Sequence, residues 1–225
     1  PDVLNGIYPE LYLFDVTSSL SIHFQIEPLG MLFACIASFL WFINSIYSIG
    51  YMRSNQYKNQ TRFYIYFALA IASTIGIAFS ANLFTLFIFY EFLTLTTYPL
   101  VTHKQTDEAK RAGRIYLGVL LTTSICLFLP AIIWTHQLAG TIHFTLGGVF
   151  NGHQESTVIV ILLVIFVYGI GKAALMPVHR WLPSAMVAPT PVSALLHAVA
   201  VVKAGVFSVV KIILYIFSPA LLSDT

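Results

Sequence analysis

The chain has 225 residues, of which 58% are hydrophobic, 15% aromatic and only 9% charged, with a formal net charge of +2. A soluble domain carries about 25% charged residues, so these charges cannot build a water-facing surface of this size. That excludes a soluble globular protein, gives no basis for a nucleic-acid partner, and points to a polytopic membrane protein.

The chain begins at Pro1, and DVLNGIYPELYLFD lacks a basic region followed by an apolar one, so no signal peptide is expected. A membrane helix needs about 20 mainly apolar residues, and six segments qualify. Segment A runs from Leu29 to Tyr51, B from Phe63 to Ser80 and C from Leu83 to Val101. Segment D runs from Ile115 to Thr135, with a kink expected at Pro130, and E from Thr157 to Met176, where Pro177 stops or bends it. Segment F runs from Val192 to Phe217 and precedes Pro219. Cys35 and Cys126 lie inside apolar runs, which implies small-hydrophobe packing and no disulfide framework.

Alternating the loops gives two sides. One side takes 1–28, 81–82, 136–156 and 218–225, and it holds Asp2, Glu10, Asp15, Glu27, Glu155 and Asp224 but no lysine or arginine. The other holds Arg53, Lys58, Arg62, Lys104, Lys110, Arg111, Arg114 and Arg180. Eight basic residues against none is a positive-inside signal that supports six segments and puts both termini outside. The glycine-rich stretch 136–156 carries His143 and His153, but their spacing matches no metal-ligand pattern, and a surface loop is expected.

Four charged residues remain within segments: Glu91, Lys172, Lys203 and Lys211. Such groups are costly in a bilayer and mark functional sites by default. Glu91 is the ninth residue of segment C, near the bilayer centre. It reads as a proton carrier or the charge that tunes one, or else as half of a structural ion pair. Lys172 follows GIG in YGIGKAALMP. The P-loop pattern GxxxxGK[ST] fails there, because Phe166 and Ala173 stand where glycine and Ser/Thr are required. The glycines read as sites of close packing or bending. A buried lysine can lose its proton, and one near the inner end can also snorkel. Lys203 lies in the middle of segment F, where snorkelling is hard. His197 lies six residues earlier and about 120° around a helix, so the two do not share one face; it reads as a titrating group that lines another wall of one cavity or is linked by water, or else as a hydrogen-bonded core histidine. Lys211, nearer the outer end, is expected to snorkel.

The run PVHRWLPSAMVAPTPVS holds Pro177, Pro183, Pro189 and Pro191. Irregular backbone at membrane depth is tolerated only when buried in protein or lining water, and discontinuous helices are where transporters place ion sites. The alternative is a plain inner loop with Arg180 at the surface, Trp181 in the aromatic belt, and His179 as an inner proton-uptake group or a headgroup contact.

PVHRWLPSAMVAPTPVSALLHAVAVVKAG resembles the hallmark of the proton-conducting antiporter-like membrane subunits. These are the large hydrophobic subunits of complex I, membrane-bound hydrogenases and Mrp-type cation/proton antiporters. IEPLGMLF…SIGYMRS, NLFTLFIFYEFLTLTTYPLV and DEAKRAGRIYL are similar to the helix entering the family's core, the helix with its central glutamate and the loop that follows. The resemblance covers Glu27 to Phe217. It implies that Glu91 pairs with Lys172 on a broken helix around Pro177, that Lys203 is the next relay group with His197 beside it, and that protons move through a water-filled half-channel. It also implies two inverted five-helix repeats. This sequence carries the first, segments B to F preceded by segment A, so it is either one half of a split or truncated subunit or relies on a partner chain, which is expected to supply the second.

The expected architecture is therefore all-α integral membrane, with an outer segment 1–28, an antiporter-like transmembrane region 29–217 and an outer tail 218–225. The expected function is proton or cation/proton translocation in a multisubunit complex of the bacterial inner membrane, most similar to the Mrp type. Other membrane subunits and the lipid bilayer are its partners, protons its ion and sodium a second candidate. No cofactor or metal is expected, because no cysteine cluster, haem motif or nucleotide motif is present. An antiporter-like subunit of an NADH:quinone oxidoreductase or hydrogenase is the alternative within the class. A non-transporting scaffold, with Glu91 and Lys172 as a locking pair, is the alternative outside it. A lipid-modifying enzyme has no recognisable constellation.

Overall fold

The structure, a computed structural model, describes all residues except 1–2, 4–5, 7, 18–19, 151–154 and 224–225; the side chains of 197, 198, 220 and 223 also lie outside the described set. It is a mostly helical bundle with a small hairpin at one end. The hairpin pairs β1 (Glu10–Thr17) with β2 (Leu20–Gln25) in antiparallel register, with Glu10 opposite Gln25 and Thr17 opposite Leu20. Among the described residues, four helical stretches are long and apolar enough to cross a membrane: α1 (Pro28–Ser54), α2 (Gln60–Ala78), α3 (Leu83–Val101) and the run Asp107–Ala139. α6 (Ser156–Gly169) is apolar but shorter.

Local chemistry sets the ends of these helices. The Asn82 side chain accepts from the amide of Thr85 at 2.7 Å and starts α3. Thr106 does the same for Ala109 at 3.2 Å, and Asp107 and Glu108 place negative charge in the first turn. This cap begins the fourth crossing at Asp107, not at Ile115 as hydropathy suggested. A helix of 33 residues spans about 50 Å, more than the ~30 Å hydrocarbon core, so its charged first turns project beyond it. The crossing consists of α4 (Asp107–Thr123), a π-helical turn Ser124–Phe128 and α5 (Leu129–Ala139). The π turn sits where Pro130 has no amide to donate, so the expected kink takes the form of a widened turn.

The largest departure from expectation is in segment E. The helix ends at Gly169, well before Pro177. A 3₁₀ turn follows at Gly171–Ala173, then Ala174 with φ of +55°, and a second 3₁₀ turn at Val178–Arg180. Short helices α7 (Trp181–Ala185) and α8 (Thr190–Ala194) lead through a π turn, Leu195–Val199, into α9 (Val201–Ile212). A π turn at Ile213–Phe217 and the short α10 (Pro219–Ser223) close the described chain.

The hairpin is knitted to the turn between α2 and α3. Gln25 N donates to Phe79 O at 2.8 Å, Ala81 N to His23 O at 3.0 Å, and Asn82 Nδ2 to Ser21 O at 3.0 Å. The segment after α5 joins the same knot through Leu83 N to Ile142 O and Phe144 N to Ala81 O. Cys35 and Cys126 are exposed on the apolar outside of the bundle, so neither packs in the core as expected. His153 and Gly152 fall outside the described residues; His143 is exposed, and no metal-holding group of three His, Cys, Asp or Glu occurs among the described residues.

Candidate functional site at the helix break

Three elements converge on the break after α6. α3 contributes Tyr90, Glu91 and Thr94; α9 packs across the break; and the indole of Trp181 reaches back to it. Lys172 is fully buried there, which removes the snorkelling alternative. Its backbone amide donates to the Tyr90 hydroxyl at 3.0 Å, and its Nζ lies 3.2 Å from the centroid of the Tyr90 ring. Nζ donates to Tyr90 O at 2.8 Å and to Thr94 Oγ1 at 2.5 Å.

Glu91 is not the ion-pair partner that the resemblance implied. Among the described residues no ion pair involves it, and both carboxylate oxygens are buried without a hydrogen-bond partner. It remains within electrostatic reach of Lys172 and Tyr116. Tyr116 shares a 2.6 Å hydrogen bond with Thr97 one turn further along α3. A buried, unpartnered carboxylate beside a buried amine is an arrangement whose charge state a single proton changes.

Close backbone approach makes the break possible. A Cβ on Gly205 would lie 2.3 Å from Ala173 N and 2.5 Å from Lys172 C, so α9 touches the break at a residue with no side chain. A Cβ on Gly171 would lie 2.4 Å from Thr123 Oγ1. The Gly171 carbonyl, freed where the α-helix stops, accepts from Trp181 Nε1 at 3.0 Å and from Ala174 N at 3.1 Å. Trp181 is fully buried and packs edge-on against Tyr116, not in an interfacial belt. Pro177, His179 and Arg180 are exposed beyond the break.

Lys203 stands apart from Lys172. Gly205 faces the break, and two residues back is 200° around an α-helix, so Lys203 points to the far side of α9. There it is exposed on a groove of about 350 Å³ between α1 and α9, walled by Leu32, Phe33, Ile36, Val206 and Phe207. It makes no hydrogen bond or ion pair among the described residues. His197 falls in the π turn before α9, and its side chain lies outside the described residues.

Lys211 does not snorkel. It is fully buried and meets Glu27 Oε1 at 2.5 Å, while Nζ also donates to Ser80 O at 2.7 Å and Ala78 O at 3.3 Å. Glu27, counted from the sequence among the outer loop acids, is therefore the buried counter-charge to a membrane lysine. Hydropathy alone hid this pair, because the acid sits one residue before the α1 prolyl N-terminus and reads as loop. Outside the spanning segments, burial pushes the imidazole of His103 down, helped by the Arg62 charge and opposed by the hydrogen bond it donates to the Lys58 backbone. Partial burial of the imidazole, whose residue is otherwise solvent-accessible, does the same to His143, helped by His23 and opposed by Glu10.

Comparison with known proteins finds similarity in sequence and in fold. Residues 80–223 match the family described as NADH:quinone oxidoreductase/Mrp antiporter, TM. Residues 14–64 match the one described as NADH-Ubiquinone oxidoreductase (complex I), chain 5 N-terminus. A putative antiporter subunit mnhA2 of Staphylococcus haemolyticus (strain JCSC1435) is 29% identical over 229 residues, covering 100% of this chain and 28% of its own length. Its counterpart in Staphylococcus aureus (strain JH9) is 29% identical over 197 residues, 87% of this chain and 24% of its own. The chain thus spans about a quarter of the length of these relatives. Among solved structures, a chain of the Mrp complex from Dietzia sp. DQ12-45-1b superposes with a TM-score of 0.76 at 25% identity, over 89% of this chain and 22% of that one. A chain of the membrane-bound sulfane sulfur reductase, an archaeal respiratory membrane complex, shares the fold with a TM-score of 0.77 at 22% identity, over 95% and 43%.

Proposed function

Since the chain belongs to the NADH:quinone oxidoreductase/Mrp antiporter transmembrane family, we propose that it is the proton-handling part of a cation/proton antiporter-like subunit in a multisubunit membrane complex. The observation that carries this is the buried amine of Lys172 in a helix break, beside a Glu91 carboxylate that is buried and unpartnered. Lys172 is the proton-bearing group and Glu91 the charge that sets when it holds or releases its proton. Exposed His179, just past Pro177 on the side rich in lysine and arginine, is the uptake group from the inner face. Lys203, with His197 a turn and a half before it, is the next station. The similarity to Mrp-type antiporter subunits favours that complex, with protons and a monovalent cation such as sodium as the transported ions. A redox-driven complex is the alternative within the family.

Lys203 also supports an assembly. A lysine exposed on an apolar membrane face needs a partner surface that carries an acceptor, and the second repeat of the family is placed there. Other membrane subunits of the complex cover the remaining exposed faces. The membrane is the bacterial inner membrane, with the lysine- and arginine-rich helix ends inside and the hairpin outside. The scaffold reading requires Glu91 and Lys172 to be locked together, and the locked acid–lysine pair here is Glu27 with Lys211 instead.

The test is transport by the full-length subunit in its native complex, in everted vesicles, with a pH-sensitive dye and added sodium or potassium. Lys172→Ala and Glu91→Gln are expected to assemble and to lose exchange. Wild-type exchange by both variants would refute the proposal.

A further inference from the structure

Lys172 sits in a seat that carries no formal charge. Its Nζ donates to Tyr90 O at 2.8 Å and Thr94 Oγ1 at 2.5 Å, and the Thr94 hydroxyl itself lies 3.3 Å from Tyr90 O as a donor. Glu91, the neighbouring residue on the same helix, meanwhile keeps both oxygens unpartnered among the described residues. The amine therefore occupies the neutral acceptors although a carboxylate is close by.

The two sites differ in which forms of lysine they serve. An ammonium has three donors and no acceptor, a carboxylate ion only accepts, and a hydroxyl does both. Facing Glu91, only the charged lysine is satisfied. Facing Thr94 and the Tyr90 carbonyl, each form makes two hydrogen bonds. The ammonium donates to the two oxygens, and the neutral amine donates to Tyr90 O while its lone pair accepts the Thr94 hydroxyl proton. Thr94 is fully buried, so no bulk water substitutes for it.

We propose that Thr94 is a positioning residue that, with the Tyr90 carbonyl, forms a release seat for Lys172, alternating with the Glu91 carboxylate as a holding seat. This rests on the assignment of Lys172 as proton carrier. In the release seat the Nζ–H bond breaks, the proton passes to a water molecule of the path, and the electron pair stays on nitrogen. Thr94 then turns its hydroxyl to donate to that pair. Reprotonation from water restores the ammonium, which Glu91 stabilises. The other titratable groups on the elements around the break are accounted for. Tyr116 on α4 is hydrogen-bonded to Thr97, the charged start of α4 (Asp107, Glu108, Lys110, Arg111, Arg114) and Tyr168 are exposed, Tyr98 lies half-buried near the end of α3, Lys203 lies on the far side of α9, Lys211 is paired with Glu27, and His179 and Arg180 are exposed beyond the break.

The test compares Thr94→Val, Thr94→Ala and Thr94→Ser in the full-length subunit in its native complex. Sodium- or potassium-driven dye responses in everted vesicles are recorded across pH, with assembly checked by co-purification. Thr94→Val is expected to assemble and to move the pH of half-maximal exchange upward by roughly one unit, because a lysine without this seat is held at the Glu91 carboxylate, which stabilises only its charged form. Thr94→Ser restores the wild-type profile. Thr94→Ala gives the same shift as Thr94→Val and stands in for it if valine blocks assembly. An unshifted profile in the Val or Ala variant, or a Ser variant as shifted as Val, overturns the release seat. If Lys172→Ala transports normally, the carrier assignment itself fails, which separates the two failures.

Discussion

Lys211 and Glu27 form a buried ion pair at 2.5 Å that joins the start of α1, the end of α2 and the last turn of α9. The ammonium donates to the Ala78 and Ser80 carbonyls and is paired electrostatically with the carboxylate. In hydrocarbon those two carbonyls, at the end of a helix, would otherwise be orphaned. The lysine thus caps α2 while neutralising the acid.

Breaking this pair leaves a single buried charge, which costs about 3–5 kcal/mol. Glu27→Gln or Lys211→Met alone is expected to lower the thermal stability of the detergent-solubilised protein strongly, whereas the double variant loses less than the sum. A double-mutant cycle on unfolding measures this. Additive losses would show that the two residues act independently.

Gly205 makes a sharper test of the break. An alanine there puts a methyl group against the backbone of Lys172 and Ala173 and forces α9 away. Gly205→Ala is expected to reduce exchange at least tenfold. Gly118→Ala on α4 meets nothing within 4 Å and should gain roughly 0.5–1 kcal/mol of stability with transport unchanged. Equal behaviour of the two variants in the transport assay would contradict the packing argument.

Much of this was legible in the sequence, and the limits have physical causes. Segment C matches α3, Leu83–Val101, because a continuous apolar run between a capping asparagine and a polar link has one solution. The start of the fourth crossing was missed because hydropathy marks where a helix enters lipid, not where its hydrogen bonds begin. Pro177 was given the break that lies around Gly171, since the stop is set by tertiary contact of Gly171 and Gly205 with neighbouring helices, which no local pattern encodes. Lys172 and Glu91 stood out as intramembrane charges, yet their partners did not. Thr94 and the Tyr90 carbonyl look like ordinary helix. The hairpin was read as a loop, although LYLFDVT and LSIHFQ are rich in strand-forming residues, because two short strands are stable only through their dock on the α2–α3 turn.

Trp181 holds the break from below. Trp181→Phe removes the donor to the Gly171 carbonyl and part of the ring packed on Tyr116. A loss of about 1–3 kcal/mol is expected from the hydrogen bond and the void together, with exchange reduced as Lys172 loses its fixed backbone. The half-buried Trp134 serves as a control, and Trp134→Phe should cost under 1 kcal/mol and leave transport intact. Comparable losses in the two variants would show that the indole donor plays no special part.

Acid should loosen the protein through two histidines outside the bilayer. His103 and His143 are both held below the ordinary imidazole range, chiefly by burial. Their native forms bind protons less readily than the unfolded chain, where histidine titrates near 6.5. Stability from them is therefore complete above about pH 6.5 and is lost as pH falls through and below that value. His103 sits among Tyr57, Phe63 and the basic helix ends, with ring centroids 6.0 and 5.4 Å away. His143 lies 6.1 Å from the His23 ring on the hairpin. The unfolding midpoint of the solubilised protein should be flat from pH 8 to 7 and fall towards pH 5. His103→Gln and His143→Gln should each flatten that fall, because neither glutamine takes up a proton. If the double variant retains the wild-type slope between pH 7 and 5, the acid lability belongs to other groups.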